Sequence, residues 1–255
     1  MTDERWPGTR KSFSLYANMT MSARLLDSVS VPVLYEDDRY LIVDKPYDCR
    51  IQNPRDDQGP SVQSLLTKQY PHIPIFRNVH QLDYATSGIY VLALTKQAAA
   101  EASKLFRERQ VQKTYLAIVA GHLIEDSYHI DQPIADDPDH DFRMKIDVNG
   151  KSAQTLVQVL ERGYYRYTDE TTKQEKTMAV SKVELRPVTG RRHQLRVHLQ
   201  HIGHPIVGDY NYESKYTDTF RMMLHAHKLR LPLKAGHLDI EAPDPFQGLL
   251  RSSPE

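Results

Sequence analysis

Short apolar runs separated by polar turns organise the first part of the chain. Residues 31–36 and 40–44 are β-rich runs on either side of a charged turn, a pattern that predicts a hairpin and the start of the folded domain. Residues 61–70 have helical apolar spacing and are followed by prolines, which predicts a short helix that ends there.

The next segments predict a strand followed by a helix. Residues 89–94 form an apolar strand after Gly88, and Thr95 is placed to cap an alanine-rich helix that runs to about Arg109. The side chains expected on the inward face of this helix are Ala98, Ala102, Leu105 and Phe106.

Further strand candidates indicate the fold class. Residues 114–119, 153–160 and 178–188 are rich in β-branched and aromatic residues. Many short strands, few helices and tight turns predict an α+β fold, with a mixed, mostly antiparallel sheet and a few flanking helices.

A last helix is predicted over residues 192–202, where Gly203 ends the periodic pattern. The apolar side chains expected to face the core are Leu195, Leu199 and Ile202. Arg192 and Arg196 are four residues apart and are expected to share another face of the helix.

Composition indicates an ordinary globular protein. The chain is 40% hydrophobic and 26% charged, and no apolar run approaches the roughly 18 residues of a membrane helix. We expect one domain over residues 31–250. The single cysteine, Cys49, excludes an intramolecular disulfide and fits a reducing compartment.

Residues 1–30 are expected to form a poorly ordered leader. Residues 5–25 carry basic residues and serine without an acid, as transit peptides do, but Asp3 and Glu4 precede them and no clean amphipathic helix follows. We therefore expect a cytoplasmic protein, while the composition leaves a mitochondrial or nuclear destination open.

Charge is unevenly distributed, although the formal net charge is zero. Residues 182–230 are locally basic, whereas residues 125–141 contain seven acids and no Lys or Arg. A basic face beside an acidic flank can orient a polyanion, although the same pattern also arises by chance on a solvated surface.

One polar loop combines several reactive groups. The segment HQLDYATSG, residues 80–88, places a carboxylate, two hydroxyls and a glycine just before a strand, where side chains are held yet accessible. Asp83 is the candidate reactive group. An Asp followed by Thr and Ser also caps turns, and this segment alone leaves both roles open.

Three segments of the chain follow known sequence signatures in order. The stretch from residue 80, HQLDYATSGIYVLAL, is similar to H-R-L-D-x-x-T-S-G followed by an apolar strand. The stretch from residue 113, KTYLAIVAG, is similar to a K-x-Y strand, and the stretch from residue 190, GRRHQLRVHLQHIGHPIVGD, is similar to G-R-x-H-Q-[IL]-R-x-H followed by G-H-P-I-x-G-D. Three ordered motifs are much harder to match by accident than one. Together they resemble the signatures of the RluA family of RNA pseudouridine synthases, and within it the eukaryotic RNA pseudouridylate synthase domain-containing proteins.

The resemblance implies an enzyme that isomerises uridine to pseudouridine in structured RNA, tRNA or rRNA, without a cofactor. It assigns Asp83 the carboxylate that acts at the sugar, either as a nucleophile or as a base. It assigns Arg196 the cation that pairs with Asp83, and Tyr115 the ring beneath the uracil. Without the resemblance, Tyr115 is an ordinary sheet residue and Arg196 a surface charge.

The resemblance also implies RNA contacts around this centre, made by Gln81, Lys113, Arg191, Arg192 and His193. Gln81 departs from the family, which usually has an arginine that is thought to help displace the flipped base. The turn after residues 45–46 also departs from the usual glycine-containing one. Both departures concern how the substrate is engaged.

Two other functions are weighed. An RNA-binding or RNA-folding protein would keep the fold with weakened catalysis, but the intact set of Asp83, Tyr115 and Arg196 argues against it. Four histidines in residues 193–204 suggest zinc, yet the first two are five residues apart with no acid between them, unlike H-E-x-x-H. We expect no metal site, RNA as the partner, no membrane association and a monomer.

Overall fold

The computed structural model describes residues 30–53, 60–169, 172–212 and 219–254. Its helices in these ranges are α1 (Val62–Gln69), α2 (Lys96–Arg107) and α3 (Gln194–His201). Its strands in these ranges are β1 (Val33–Glu36), β2 (Tyr40–Lys45), β3 (Arg77–Asn78), β4 (Ser87–Ala93), β5 (Gln112–Ala120), β6 (Ser127–Asp131), β7 (Ile134–Asp136), β8 (Met144–Ile146), β9 (Gln154–Thr168), β10 (Glu175–Pro187), β11 (Leu224–Leu233) and β12 (Gly236–Glu241).

One large sheet carries the fold. Its strand order is β1-β2-β4-β11-β5-β10-β9-β6, with β3 paired to β4 and β12 paired to β11, and β7 and β8 form a separate pair. Among the described pairings, β4 with β11 is parallel and the others are antiparallel. The predicted α+β fold with a mixed, mostly antiparallel sheet is therefore confirmed.

The parallel pairing depends on a glycine. Gly88 has a φ of +106°, and a Cβ added there would lie less than 3.0 Å from the backbone oxygen of Ala226. A side chain would prevent β11 from approaching β4. Ala226 pairs with Gly88 on one side and with Tyr115 of β5 on the other. Strand β11 thus brings the loop before β4 close to the middle of β5.

The helices cover the sheet as their sequences predict. In α2, Ala98 and Ala102 are fully buried, and Leu105 and Phe106 pack beside them against the cluster formed by β2, β4 and β11. Thr95 caps this helix by accepting a hydrogen bond from the backbone N–H of Ala98. Helix α1 buries its apolar residues against the opposite face of β2 and β4.

Helix α3 differs from its prediction at its start. His193 adopts the left-handed conformation, with a φ of +53°, so the helix begins at Gln194 and excludes Arg192. The expectation that Arg192 and Arg196 share a helix face is therefore wrong, because Arg196 is buried and Arg192 is exposed. The predicted end is confirmed, since Gly203 follows with a φ of +83°.

Some strands are longer than predicted, and others were not predicted. Strands β9 and β10 form a long hairpin that extends past residue 160, and β6, β11 and β12 were not predicted. The leader predicted over residues 1–30 lies, except for its last residue, outside the described residues. Within the described part of the chain, no helix is both long and apolar enough to cross a bilayer.

Candidate active site

Asp83, Arg196 and Asp209 form a hydrogen-bonded cluster. Asp83 lies in the loop that leads into β4, and its Oδ2 accepts a hydrogen bond from Nη1 of Arg196 at 2.9 Å. Nε and Nη2 of Arg196 donate to the two carboxyl oxygens of Asp209, each at 2.7 Å. The Asp209 side chain is fully buried, whereas that of Asp83 keeps 29% of its surface exposed. Asp83 is therefore the carboxylate of this cluster that can meet a substrate.

The cluster carries one excess negative charge. Burial alone lowers the pKa of Arg196, but the hydrogen bonds and charges of Asp209 and Asp83 outweigh it and raise that pKa above its ordinary value. The guanidinium is thus permanently cationic. Because Asp209 engages it through two parallel bonds, its plane is fixed and the remaining nitrogen is directed at Asp83.

Asp209 was not predicted as a site residue, although it closes the GHPIVGD segment. Its position depends on Gly208, which has a φ of +78° and where a Cβ would lie less than 3.0 Å from the backbone oxygen of Arg221. A buried arginine needs a buried carboxylate as its partner, and this requirement, applied to Arg196, is the signal that could have found Asp209.

His193 lies beside the reactive carboxylate, with its Nε2 3.9 Å from Oδ2 of Asp83, the oxygen that Arg196 also contacts. Burial, together with the charge of Arg196, lowers the pKa of His193 to about 4, so its ring is neutral at pH 7. The hydroxyl of Tyr212 accepts a hydrogen bond from the backbone N–H of Met144 at 2.7 Å and is also hydrogen-bonded to Nδ1 of His193 at 2.8 Å. In the tautomer of His193 in which this hydroxyl is the donor, the ring proton lies on Nε2 and faces Asp83.

Tyr115 occupies β5 between the two largest core clusters and is half-buried. Burial, with a smaller contribution from the charge of Asp83, raises the pKa of Tyr115. The phenol is therefore protonated at neutral pH and lies within electrostatic range of the carboxylate.

Two buried cations hold the loop that carries Asp83. Nζ of Lys45 donates to the backbone oxygens of Pro46, Cys49 and Tyr84, which follows Asp83 directly. Burial lowers the pKa of Lys45 to about 8.

At the far end of the loop, Nη2 of Arg221 donates to the hydroxyl of Ser87. That hydroxyl is also hydrogen-bonded to Nδ1 of His225 at 2.8 Å. Sequence reasoning missed Lys45 and Arg221, because their contacts with the loop are 39 and 134 residues apart in the chain.

His80 fixes the start of the same loop. Its Nε2 accepts a hydrogen bond from the backbone N–H of Val91 at 3.0 Å, so its proton is on Nδ1, which faces the backbone oxygen of Gln81. The ring stacks on Phe106 of α2 with centroids 4.5 Å apart. Burial lowers the pKa of His80 to about 3, so His80 positions the loop as a neutral ring.

The residues predicted to contact RNA lie in separate parts of the structure. His193 belongs to the cluster at Asp83, and Gln81 is exposed in the same loop. Lys113 and Arg191 instead line a cavity beside the C-terminal end of α2. Arg192 is turned toward the acidic flank, with its Nη2 3.3 Å from a carboxyl oxygen of Asp136.

The histidines of the segment from residue 190 each bind different partners. Nδ1 of His198 is hydrogen-bonded to Thr155 at 2.9 Å and its Nε2 to the backbone oxygen of Gln132 at 3.0 Å, while His204 bonds the backbone oxygen of Ala120. Among the residues that the structure describes, no three His, Cys, Asp or Glu side chains are grouped to hold a metal ion.

A model of the RNA pseudouridylate synthase family matches residues 39–201, more than half of the chain. This match, the sheet and the carboxylate–arginine cluster define the class: the chain is an RNA pseudouridine synthase. It is 40% identical over 200 residues to the Dual-specificity RNA pseudouridine synthase RluA of Yersinia pestis, covering 77% of this chain and 90% of that protein. The chain belongs to the RluA family, as its three motifs predicted.

Eukaryotic proteins are similarly related. The chain is 38% identical over 231 residues to RNA pseudouridylate synthase domain-containing protein 1 of Danio rerio, covering 85% of this chain and 75% of that protein. The solved structure of human RNA Pseudouridylate Synthase Domain Containing 1 superposes with a TM-score of 0.74 at 36% identity, covering 88% of this chain and 91% of the other. The human Domain Containing 4 structure superposes with a TM-score of 0.65 at 25% identity, covering 90% and 94%.

Proposed function

We propose that Asp83 acts at the sugar of a flipped uridine, as nucleophile or as base, in the isomerisation to pseudouridine. The supporting observation is its asymmetric environment. Oδ2 is held by Arg196, whereas Oδ1 has no hydrogen-bond partner among the described residues and the side chain is partly exposed. A carboxylate with one oxygen fixed and the other available is oriented for attack without being neutralised.

Arg196 orients the reactive carboxylate through the hydrogen bond to Oδ2 of Asp83. Its own charge is secured by Asp209, so it stays in place when Asp83 changes its bonding during the reaction. In the tautomer that carries its proton on Nε2, His193 supplies a neutral donor at the same oxygen or to a substrate hydroxyl.

Tyr115 serves the detached uracil. Its ring offers a flat face for stacking, and its hydroxyl, which stays protonated, can donate a hydrogen bond to the detached uracil. The isomerisation moves one base on one sugar and is redox-neutral, so we infer that the enzyme uses no cofactor.

The substrate is a uridine in structured RNA, tRNA or rRNA. A base that reacts must leave the stack, which costs roughly a few kcal/mol. Because Gln81 is exposed and uncharged, the chain has less means to displace a paired base at this position, which favours a uridine in a loop or bulge. We propose that the enzyme acts as a monomer in the cytoplasm, a reducing compartment in which its single cysteine, the buried Cys49, stays a free thiol.

The function is tested by incubating the purified protein with total RNA from cells that lack its gene and mapping new pseudouridines. Asp83→Asn is the matched control, since it keeps the shape of the side chain. New sites with the native protein and none with the variant are expected. An active Asp83→Asn variant would overturn the assignment of the carboxylate.

A further inference from the structure

A cavity of about 200 Å³ lies beside the C-terminal end of α2, outside the cluster at Asp83. Four cations line it, and no acidic side chain is among its lining residues, all of which belong to the described chain. The cations are Arg107, Arg109, Lys113 and Arg191. Side chains of like charge that line one cavity repel one another, and this cost is relieved when an anion binds between them.

Local geometry brings the charges together. A Cβ added to Gly190 would lie 3.4 Å from Nζ of Lys113, so the ammonium lies against the backbone beside Arg191. Nε of Arg191 is held by the backbone oxygen of Ser152 at 3.1 Å. Burial lowers the pKa of Lys113, the expected response of an ammonium that has lost water without gaining a carboxylate.

Arg109 is held in a conformation that favours glycine. It follows the cap of α2 with a φ of +59°, and its backbone N–H donates to the oxygen of Phe106 while that of Gln110 donates to Leu105. This pair of bonds is the Schellman termination, whose left-handed residue is usually glycine. A long cationic side chain at such a position costs backbone energy, which is consistent with a use for the side chain.

Three of the residues that line the cavity lie next to, or in contact with, residues of the active site. Lys113 and Tyr115 are two residues apart on β5, so they share a face of the sheet about 7 Å apart along the strand. Phe106, another lining residue, stacks on His80, which begins the loop that carries Asp83. Arg191 is two residues before His193, which faces Asp83.

We propose that this cavity, which we call the phosphate pocket, binds one backbone phosphate of the RNA close to the target uridine. The proposal rests on the proposed function, because it assumes that the RNA enters at Asp83. Arg107 and Arg109 thereby become RNA contacts, and the phosphate pocket supplies near the target nucleotide the positive charge that Gln81 does not.

Salt-dependent binding tests the phosphate pocket. Arg109→Gly removes one cation and leaves the left-handed turn in its preferred residue, so the fold is retained. Lys96→Gln is the control, because it removes an exposed cation about 17 Å away at the start of the same helix. Affinity for an RNA hairpin with a uridine-containing loop is measured from about 50 to 250 mM salt.

The negative slope of log affinity against log salt should become shallower by about 0.7–0.9 in Arg109→Gly, which corresponds to roughly five- to eightfold weaker binding at 0.1 M salt. Lys96→Gln should keep the native slope. An unchanged slope in Arg109→Gly, or an equal loss in both variants, would overturn the phosphate pocket.

Single uncharged methylphosphonate linkages, placed in turn around the target uridine, locate the phosphate. One linkage should weaken binding to the native protein but not further weaken binding to Arg109→Gly. Absence of any such linkage overturns the proposal. The two proposals fail separately. If the native protein forms no pseudouridine on any RNA, the proposed function fails, while the salt slopes still report on the phosphate pocket. If the native protein forms product but Arg109→Gly keeps the native salt slope, the phosphate pocket alone is overturned.

Discussion

Arg196 is bonded to two carboxylates whose roles differ, and this difference can be measured. Asp209 is buried and holds the guanidinium of Arg196 through two hydrogen bonds, so Asp209→Asn leaves this buried guanidinium partly unpaired. We expect a loss of about 3 kcal/mol in the free energy of unfolding. Asp83→Asn removes a more exposed partner and should cost less than about 1 kcal/mol, while it abolishes product formation. Urea denaturation and a single-turnover assay measure the two effects; equal destabilisation by both changes would contradict this division.

Gln81 occupies the position in the reactive loop at which the family signature implies an arginine. An amide can fill space and form hydrogen bonds, but it cannot contact a phosphate as a cation. Turnover should therefore be much higher on a uridine in a single-stranded loop than on the same uridine in a stable stem. Gln81→Arg should narrow that gap by improving the stem substrate. Equal turnover of both by the native enzyme, without a gain in the variant, would show that residue 81 is not limiting.

At the scale of elements, the parallel contact between β4 and β11 depends on Gly88. Gly88→Ala places a Cβ against the backbone of Ala226 and also forces a positive φ, so we expect a loss of at least about 3 kcal/mol in unfolding free energy and loss of activity. Gly203→Ala is the matched control, because its φ is also positive but no atom lies within 4 Å of the added Cβ. It should cost only about 1 kcal/mol. Similar losses in both variants would exclude the close approach as the cause.

Sequence pattern predicted the elements whose apolar spacing is regular, and failed where contacts between distant segments decide. The hairpin of β1 and β2 and helix α2 follow from local pattern, and the motif located the Asp83 loop. Strand β11 was missed because residues 224–233 interleave apolar positions with histidine, lysine and arginine and contain Pro232. Its strand state is dictated by its neighbours on both sides. The partners that fix the loop, Lys45 and Arg221, are likewise visible only in the fold.

Across the whole molecule, buried neutral histidines predict sensitivity to acid. Burial lowers the pKa values of His80 to about 3 and of His193 and His225 to about 4, below the ordinary 6.5. At these three histidines the unfolded chain therefore binds more protons than the folded one between about pH 6.5 and 3. Their contribution to stability is fully present above pH 6.5 and is lost as the pH falls through this window.

Urea midpoints at pH 7 and pH 5 measure this effect. The native protein should lose stability on acidification, and His193→Gln should lose less, by about 1–2 kcal/mol, because one titrating group is gone. The comparison uses the same buffer strength at both pH values. An identical loss in the variant would mean that His193 does not titrate as its burial implies.

The pairing of β4 with β11 also sets the order in which the enzyme can mature during synthesis. Ser87 and its partner His225 are 138 residues apart, so at 5–20 residues per second the ribosome needs roughly 7 to 30 s to supply the second strand. During that interval the first two residues of β4 lack their partner strand on this edge, and the Asp83 loop lacks the contacts of Arg221. The nascent chain is therefore inactive and exposes a sheet edge that chaperones recognise, and a ribosome that stalls before β11 releases a product with neither activity nor a closed sheet.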